Sequence, residues 1–92
     1  MAPAPIWIED ADGPTEVQSR YREMLAAAGR PLPWRMSHEE AGLVTAADGS
    51  EAATVDVDRQ VSDAAAAAIA AWIVCAVNTC GGYRALSGRK II

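Results

Sequence analysis

Fourteen consecutive residues, from Ala64 to Val77, carry no polar side chain. Because this run is rich in alanine, the residue with the highest helix propensity, it predicts a helix over about residues 62–80. Ser62 or Asp58 is expected to cap the start of this helix. A membrane span needs about 20 apolar residues, so the run indicates a core or interface helix. Such a helix must be covered on nearly every side, either by the rest of the chain or by another copy of it.

The large side chains of this helix predict how it packs. They follow the spacing of one helical face, namely Ile69, Trp72, Ile73, Ala76 and Cys80. We expect Trp72 to meet Trp34 in the core, since aromatics at helix or strand spacing are usually packing residues; a shelf for an aromatic ligand is the alternative. Asn78 and then Gly81–Gly82 are expected to end the helix. Cys75 and Cys80 point in different directions around the helix axis, so a disulfide between them is not expected. They are predicted to be buried thiols, because cysteine is among the most buried residue types.

Patterns near the N-terminus predict a strand and a helix. Ile6–Ile8, which follows two prolines, is expected to form an extended edge segment. Asp12-Gly13-Pro14 predicts the start of a helix over about residues 14–28, ended by Gly29. The apolar stripe of this helix is expected to lie on the core and comprises Val17, Tyr21, Met24, Leu25 and Ala28.

The middle of the chain predicts three strands, at about residues 33–38, 42–47 and 51–57. Asp48-Gly49 between the last two strands is a strong hairpin signal. The register stays open at this point. A two-residue turn places Val44, Ala46, Ala53, Val55 and Val57 on one face, whereas a three-residue turn places Leu43 and Thr45 there. Either register leaves Val55 and Val57 facing inward and Asp56 facing outward.

This order of elements predicts an α+β fold in a single domain over residues 1–92. In it, a small antiparallel sheet of about three strands packs against two helices, and the C-terminal alanine-rich helix is central. Residues 83–92 are expected to form a basic tail. The N-terminus lacks the cationic and apolar segments of a secretory signal, so we expect a cytoplasmic protein.

The sequence contains no recognisable catalytic or metal-binding motif. His38-Glu39-Glu40 is the only site where an imidazole lies beside carboxylates, and it lacks the second histidine that a zinc motif requires. We interpret it as an exposed turn at the end of a strand. Gly81–Gly82 follows a helix and does not open one, so it is not a phosphate cradle. We therefore expect no enzymatic activity and no cofactor or metal.

Charge is the surface feature that bears on function. The chain has a net charge of −4 and a pI near 4.7. Six acids and no Lys or Arg occur between residues 36 and 58, namely Glu39, Glu40, Asp48, Glu51, Asp56 and Asp58. We predict that these six residues bind a protein partner with a basic surface. A solvated face that only keeps the protein soluble is the alternative. Direct binding of nucleic acid is not expected.

Residues 34–80 resemble small phage or prophage-encoded proteins. The resemblance rests on Trp34-Arg35, on Thr45-Ala-Ala-Asp-Gly49 and on the helical pattern that ends in Ile73-Val-Cys-Ala-Val-Asn78. It implies an inhibitor of host defence, with anti-CRISPR proteins as the best-known class of this size and acidity, and it assigns no individual residue. The expected function is thus a non-enzymatic inhibitor that docks on a basic groove of a CRISPR effector subunit. A homodimer assembled through the alanine-rich helix and a phage regulator of another host enzyme are the alternatives.

Overall fold

The computed structural model describes residues 6–86, which form an α+β fold with two helices and two small antiparallel sheets. The elements in chain order are β1 (Ile6–Glu9), α1 (Glu16–Ala27), β2 (Arg35–Met36), β3 (Leu43–Thr45), β4 (Glu51–Thr54), α2 (Asp63–Cys80) and β5 (Tyr83–Leu86). One sheet has the order β2-β3-β4 and the other pairs β1 with β5. The predicted fold class is confirmed, although the strands fall in two sheets.

The helix α2 packs on the three-stranded sheet through one narrow face. Ser62 caps its start, since the Ser62 hydroxyl accepts a hydrogen bond from the Ala65 N–H at 3.1 Å. Its buried residues recur every fourth position, namely Ala66, Ala70, Val74 and Asn78. Small side chains on this face let the helix approach β2 and β3 closely. Only four of its 18 residues are buried, so the expectation that the rest of the chain covers the helix on nearly every side is wrong, and cover by another copy stays a prediction.

A hydrogen-bonded bridge joins α2 to the start of β2. The buried Asn78 amide donates to the Trp34 carbonyl at 2.8 Å, and its oxygen accepts from the Trp34 N–H at 2.7 Å. Asn78 therefore lies within the helix and does not end it, which corrects the prediction; Gly81 is the C-cap. The bridge holds Trp34 in the core, at 9% exposure, against Val44 and Val74.

The hairpin between β3 and β4 combines features of both predicted registers. The Ala46 N–H donates to the Ser50 carbonyl at 2.8 Å, which leaves a three-residue loop with Gly49 at a φ of +89°. Further from the turn, Val44 pairs with Ala53, because a bulge on β4 inserts one extra residue. This bulge restores the alternation of a two-residue turn, so Val44 and Ala46 are buried as that register predicted.

The strand β4 is shorter than predicted because the chain turns at Asp56. That residue has a φ of +58°, and its carboxylate accepts hydrogen bonds from the Gln60 N–H at 2.6 Å and the Val61 N–H at 2.9 Å. Val55 packs against the core as predicted. Val57, however, is 74% exposed, so its predicted inward orientation is wrong. Asp56 is half-buried and stabilises the loop.

The predicted N-terminal edge strand is confirmed as β1, and its partner is β5. Residues 83–86 therefore form a strand, and the prediction that they begin a tail is wrong. An ion pair between Arg84 and Asp10, at 3.6 Å, lies beside the end of this pairing. The remaining residues of the predicted basic tail, with Arg89 and Lys90, lie outside the described residues, as do Pro3 and Pro5.

The helix α1 occurs where predicted but faces the body of the protein with a different side. Its Thr15 N-cap forms a capping box with Gln18, and Gly29 follows its end at a φ of +80°. No residue of α1 is buried, so the prediction that its apolar stripe lies on the core is wrong for all but the half-buried Leu25.

Arg22 explains this orientation of α1. Its Nε donates to the Gly81 carbonyl at 2.5 Å, and its guanidinium lies 4.3 Å from the centre of the Tyr83 ring. An ion pair with Glu9, at 3.4 Å, links it also to β1. These contacts turn Arg22 toward the β1–β5 sheet. The apolar stripe of α1 lies about 100° around the helix from Arg22, so it reaches only the edge of the contact between α1 and the rest of the protein.

Candidate functional site

The exposed side of α2 is apolar and carries the largest exposed side chain of the described residues. Trp72 is 75% exposed and Ile69 is 45% exposed. The prediction that Trp72 meets Trp34 in the core is therefore wrong. The physical reason is that the small side chains of Ala66 and Ala70 form the buried face, so Trp72, on the opposite side of the helix, points away from the sheet. No charged side chain occurs on α2 after Asp63.

The exposed stripe of α1 lies beside this side of α2. Val17 is 61% exposed, Met24 is 60% exposed and Tyr21 is 45% exposed. Between the two helices lies an apolar pocket of about 280 Å³, lined by Tyr21, Met24, Leu25, Trp34, Ala76, Val77 and Cys80. We call the combined surface the α1–α2 face, which is defined by Val17, Tyr21, Met24, Ile69, Trp72, Ala76 and Cys80.

Sequence reasoning found the residues of the α1–α2 face but assigned them to the wrong environment. The apolar stripe of α1 is expected on the core, and the large residues of α2 are expected in the core or in an interface with another copy of the chain. The signal that was missed is the i, i+4 series of small residues with Asn78, which packs closely on a sheet and leaves the larger residues outside. The same misassignment applies to the two cysteines of α2. Cys75 and Cys80 are free thiols, and both are exposed, so their predicted burial is wrong.

The acidic residues of the hairpin do not form one continuous surface. Asp48 and Glu51 lie at the turn, whereas Asp56 and Asp58 follow the other end of β4. Since an extended strand rises about 3.3 Å per residue, the five steps along the chain from Glu51 to Asp56 separate the two groups by about 16 Å. The structure therefore presents two small acidic groups.

The acidic group at the turn makes local hydrogen bonds and lies near Arg30. The Asp48 carboxylate accepts from the Ser50 hydroxyl at 2.6 Å and from the Ser50 N–H at 2.9 Å. These hydrogen bonds hold the pKa of Asp48 below its ordinary value, with a smaller contribution from the positive charge of Arg30. Arg30 Nε also donates to the Glu51 backbone carbonyl at 2.5 Å. Positive charge is thus present at this end of the hairpin.

The second acidic group surrounds Arg59. That guanidinium pairs with Glu40 at 3.6 Å and with Asp63 at 3.8 Å. With Asp56, these residues line a shallow pocket of about 120 Å³. Of the six predicted binding residues, Glu39 and Asp58 are the two whose carboxylates have no hydrogen bond or ion pair within residues 6–86. Both side chains are exposed.

Side chains suited to catalysis or metal binding are scattered over the described part of the chain. His38 is exposed beyond the end of β2, which agrees with its interpretation as a turn residue. Within the described part of the chain, no three His, Cys, Asp or Glu side chains are grouped closely enough to hold a metal ion. The two groups of acids and the α1–α2 face are thus the surfaces with features that a partner could recognise.

Among the described residues, α2 is long and apolar enough to cross a membrane, judged by length and composition alone. The core helices of soluble proteins meet the same criteria, and α2 is bonded to the sheet through Asn78.

Comparisons with protein-family models, with curated proteins and with solved structures find no match to this chain. The resemblance to phage proteins stays a prediction.

Proposed function

We propose that this protein is a non-enzymatic protein-binding module whose docking surface is the α1–α2 face. The exposure of Trp72 carries this proposal. Covering a tryptophan that is three-quarters exposed on an apolar surface lowers the free energy of the complex. Tryptophan is also among the residues that contribute most to the binding energy of protein interfaces.

The neighbourhood of Trp72 supports the same function. The apolar pocket lined by Ala76 begins one helical turn away, and Tyr21 and Met24 stand on its other side. An apolar centre with charged residues at its margin is the usual anatomy of a protein interface. On α1 that margin carries Glu16 and Arg20, which pair at 3.5 Å.

A photo-crosslinking amino acid at position 72 tests this function in cells that express the full chain. We replace Trp72 by benzoylphenylalanine and, as a matched control, place the same group at Val57, which is 74% exposed but lies on the hairpin loop. We expect crosslinks to protein from position 72 and not from position 57. Met24→Glu should reduce the yield at position 72. Equal yields at the two positions, or no protein crosslink from position 72, would contradict the proposal.

A second candidate function is the anti-CRISPR inhibition implied by the resemblance. The exposed carboxylates of Glu39 and Asp58 favour it, because they have no internal partner among the described residues. They are available to a basic groove of a CRISPR effector, whereas Asp56 stabilises its own loop. We therefore place the acidic docking site of this candidate at Glu39 and Asp58.

Charge reversal at these two positions tests the second candidate in a CRISPR interference assay. Glu39→Lys with Asp58→Lys should abolish inhibition and leave the circular dichroism spectrum unchanged. Glu23→Lys is the control, since Glu23 is exposed on α1, away from the hairpin. Undiminished inhibition by the double variant would remove Glu39 and Asp58 as the docking site.

A further inference from the structure

We propose that the partner that covers the α1–α2 face is a second copy of this chain, and that Trp72 of each copy enters the pocket of the other. This inference rests on the proposed binding function and names its partner. It starts from the observation that the same face holds both a projecting aromatic side chain and a pocket. A surface with both features can be complementary to itself.

The pocket has room for an aromatic side chain. Its volume is about 280 Å³, just below the range of about 300 to 1,000 Å³ in which small-molecule sites fall. Tyr21 and Trp34 lie in its wall, so an entering indole would meet two aromatic rings. Trp72 itself lies outside the pocket, one helical turn from Ala76.

A twofold axis relates the projecting residue to the pocket. When this axis lies in the contact plane, midway between Trp72 and the pocket, and runs across α2, it places each indole opposite the pocket of the other chain. The two α2 helices then pack antiparallel. The small side chains of Ala76 and Ala68 permit the close approach of helices that this arrangement needs.

The exposed area is of the size that a dimer requires. From their fractional exposures, the five large residues of the face (Val17, Tyr21, Met24, Ile69 and Trp72) leave about 600 Å² of surface in contact with solvent. Stable interfaces bury at least about 1,200 Å² in total, which two such faces together provide.

The charge distribution also permits two copies to associate. Each chain has a net charge of −4, so a dimer through the hairpin would bring like charges together. The α2 part of the face has no charged side chain between Asp63 and Cys80. Contact through α1 and α2 therefore keeps the acids of the two hairpins out of the interface.

Sedimentation equilibrium of the purified full chain tests the inference. We expect a mass twice the 9.7 kDa of one chain, and we expect Trp72→Ala to raise the dimer dissociation constant about 1,000-fold, since each of the two lost tryptophans accounts for about 30-fold. Ala76→Glu, which changes the pocket and leaves Trp72 in place, should also give monomers. Val57→Ala, at an equally exposed site outside the face, should leave the dimer intact.

Three outcomes would overturn the inference. They are a wild-type chain that is monomeric at every concentration, a dimer that neither Trp72→Ala nor Ala76→Glu weakens, and wild-type protein that sediments with phosphatidylcholine vesicles instead of forming dimers. The crosslinking experiment separates this failure from that of the proposed function. If the chain is a monomer and position 72 crosslinks to a different protein, the second copy is excluded as the partner but the α1–α2 face remains the docking surface.

Discussion

Asn78 shows at the residue scale how one polar side chain can organise an apolar helix. Its amide satisfies both the N–H and the carbonyl of Trp34, and all of these groups are buried. The pair of hydrogen bonds fixes how α2 is rotated about its axis and how far it extends along the sheet. It thereby determines that Ala70 and Val74 face inward and that Trp72 faces outward.

We predict that Asn78→Ala lowers the free energy of unfolding by about 2 to 4 kcal/mol, because the Trp34 N–H and carbonyl lose their buried partner. Urea denaturation measures this change. The control is Thr79→Ala, at the next residue of the helix, which is exposed and should change stability by less than about 0.5 kcal/mol. Equal effects of the two substitutions would show that the bridge to Trp34 does not stabilise the fold.

Asp48 gives a pH-dependent prediction at the same scale. Its two hydrogen bonds from Ser50 lower its pKa in the folded state relative to the unfolded chain. Folding therefore gains stability from Asp48 at pH values above the ordinary aspartate pKa, and this contribution is lost as the pH falls through the lower, folded-state value. NMR titration of the Asp48 carboxyl carbon should give a pKa below the ordinary value, and Ser50→Ala should raise it. A pKa that is ordinary in both proteins would contradict the hydrogen-bonded turn.

The elements themselves follow from local sequence signals, whereas their packing does not. Both helices and the hairpin lie within a few residues of their predicted positions, because caps and turn residues act locally. The side of α1 that faces the protein depends on Arg22, whose partners Glu9 and Gly81 are distant in the sequence. The pairing of β1 with β5 is equally non-local. Hydrophobic periodicity cannot supply such contacts.

The same limit applies to the candidate site. The acids were found by counting charges along the chain, but Arg30 and Arg59 approach them only after folding. The apolar residues of the α1–α2 face were found by their spacing. Whether a stripe of such residues lies on a core or faces solvent depends on which side of the helix meets the sheet. Here the short series of small residues determines that choice.

At the scale of the hairpin, the prediction concerns the close approach of Gly42 to Val55. It has a φ of +86°, and a Cβ there would lie 2.8 Å from the Val55 carbonyl oxygen. Gly42→Ala should therefore cost about 2 to 4 kcal/mol, from backbone strain together with the displacement of β4. Gly49→Ala is the matched control. Its φ is +89° but no atom lies within 4 Å of the added group, so the strain alone should cost about 1 kcal/mol. Thermal unfolding distinguishes the two, and a smaller effect at position 42 would refute the close approach.

At the scale of the whole molecule, the central helix α2 packs on the three-stranded sheet with one side only. The core is a small cluster around Val44, Trp34 and Val74, covered by β2, β3 and β4. The opposite side of α2 adjoins α1 at a pocket and otherwise faces solvent, which leaves Trp72 outside the core. The account therefore requires that the same indole be in contact with water in the single chain and covered in the complex.

Fluorine NMR of the protein labelled with 5-fluorotryptophan tests this requirement at Trp72, with the resonance assigned by Trp72→Phe. In dilute solution, we expect the Trp72 resonance to show the H₂O-to-D₂O shift of a solvated indole, and the Trp34 resonance to show almost none. As the concentration rises, the solvent shift of Trp72 should disappear while that of Trp34 stays small. A Trp72 resonance that is already shielded from solvent at the highest dilution, or one that stays solvated both at high concentration and with any binding partner, would contradict the account.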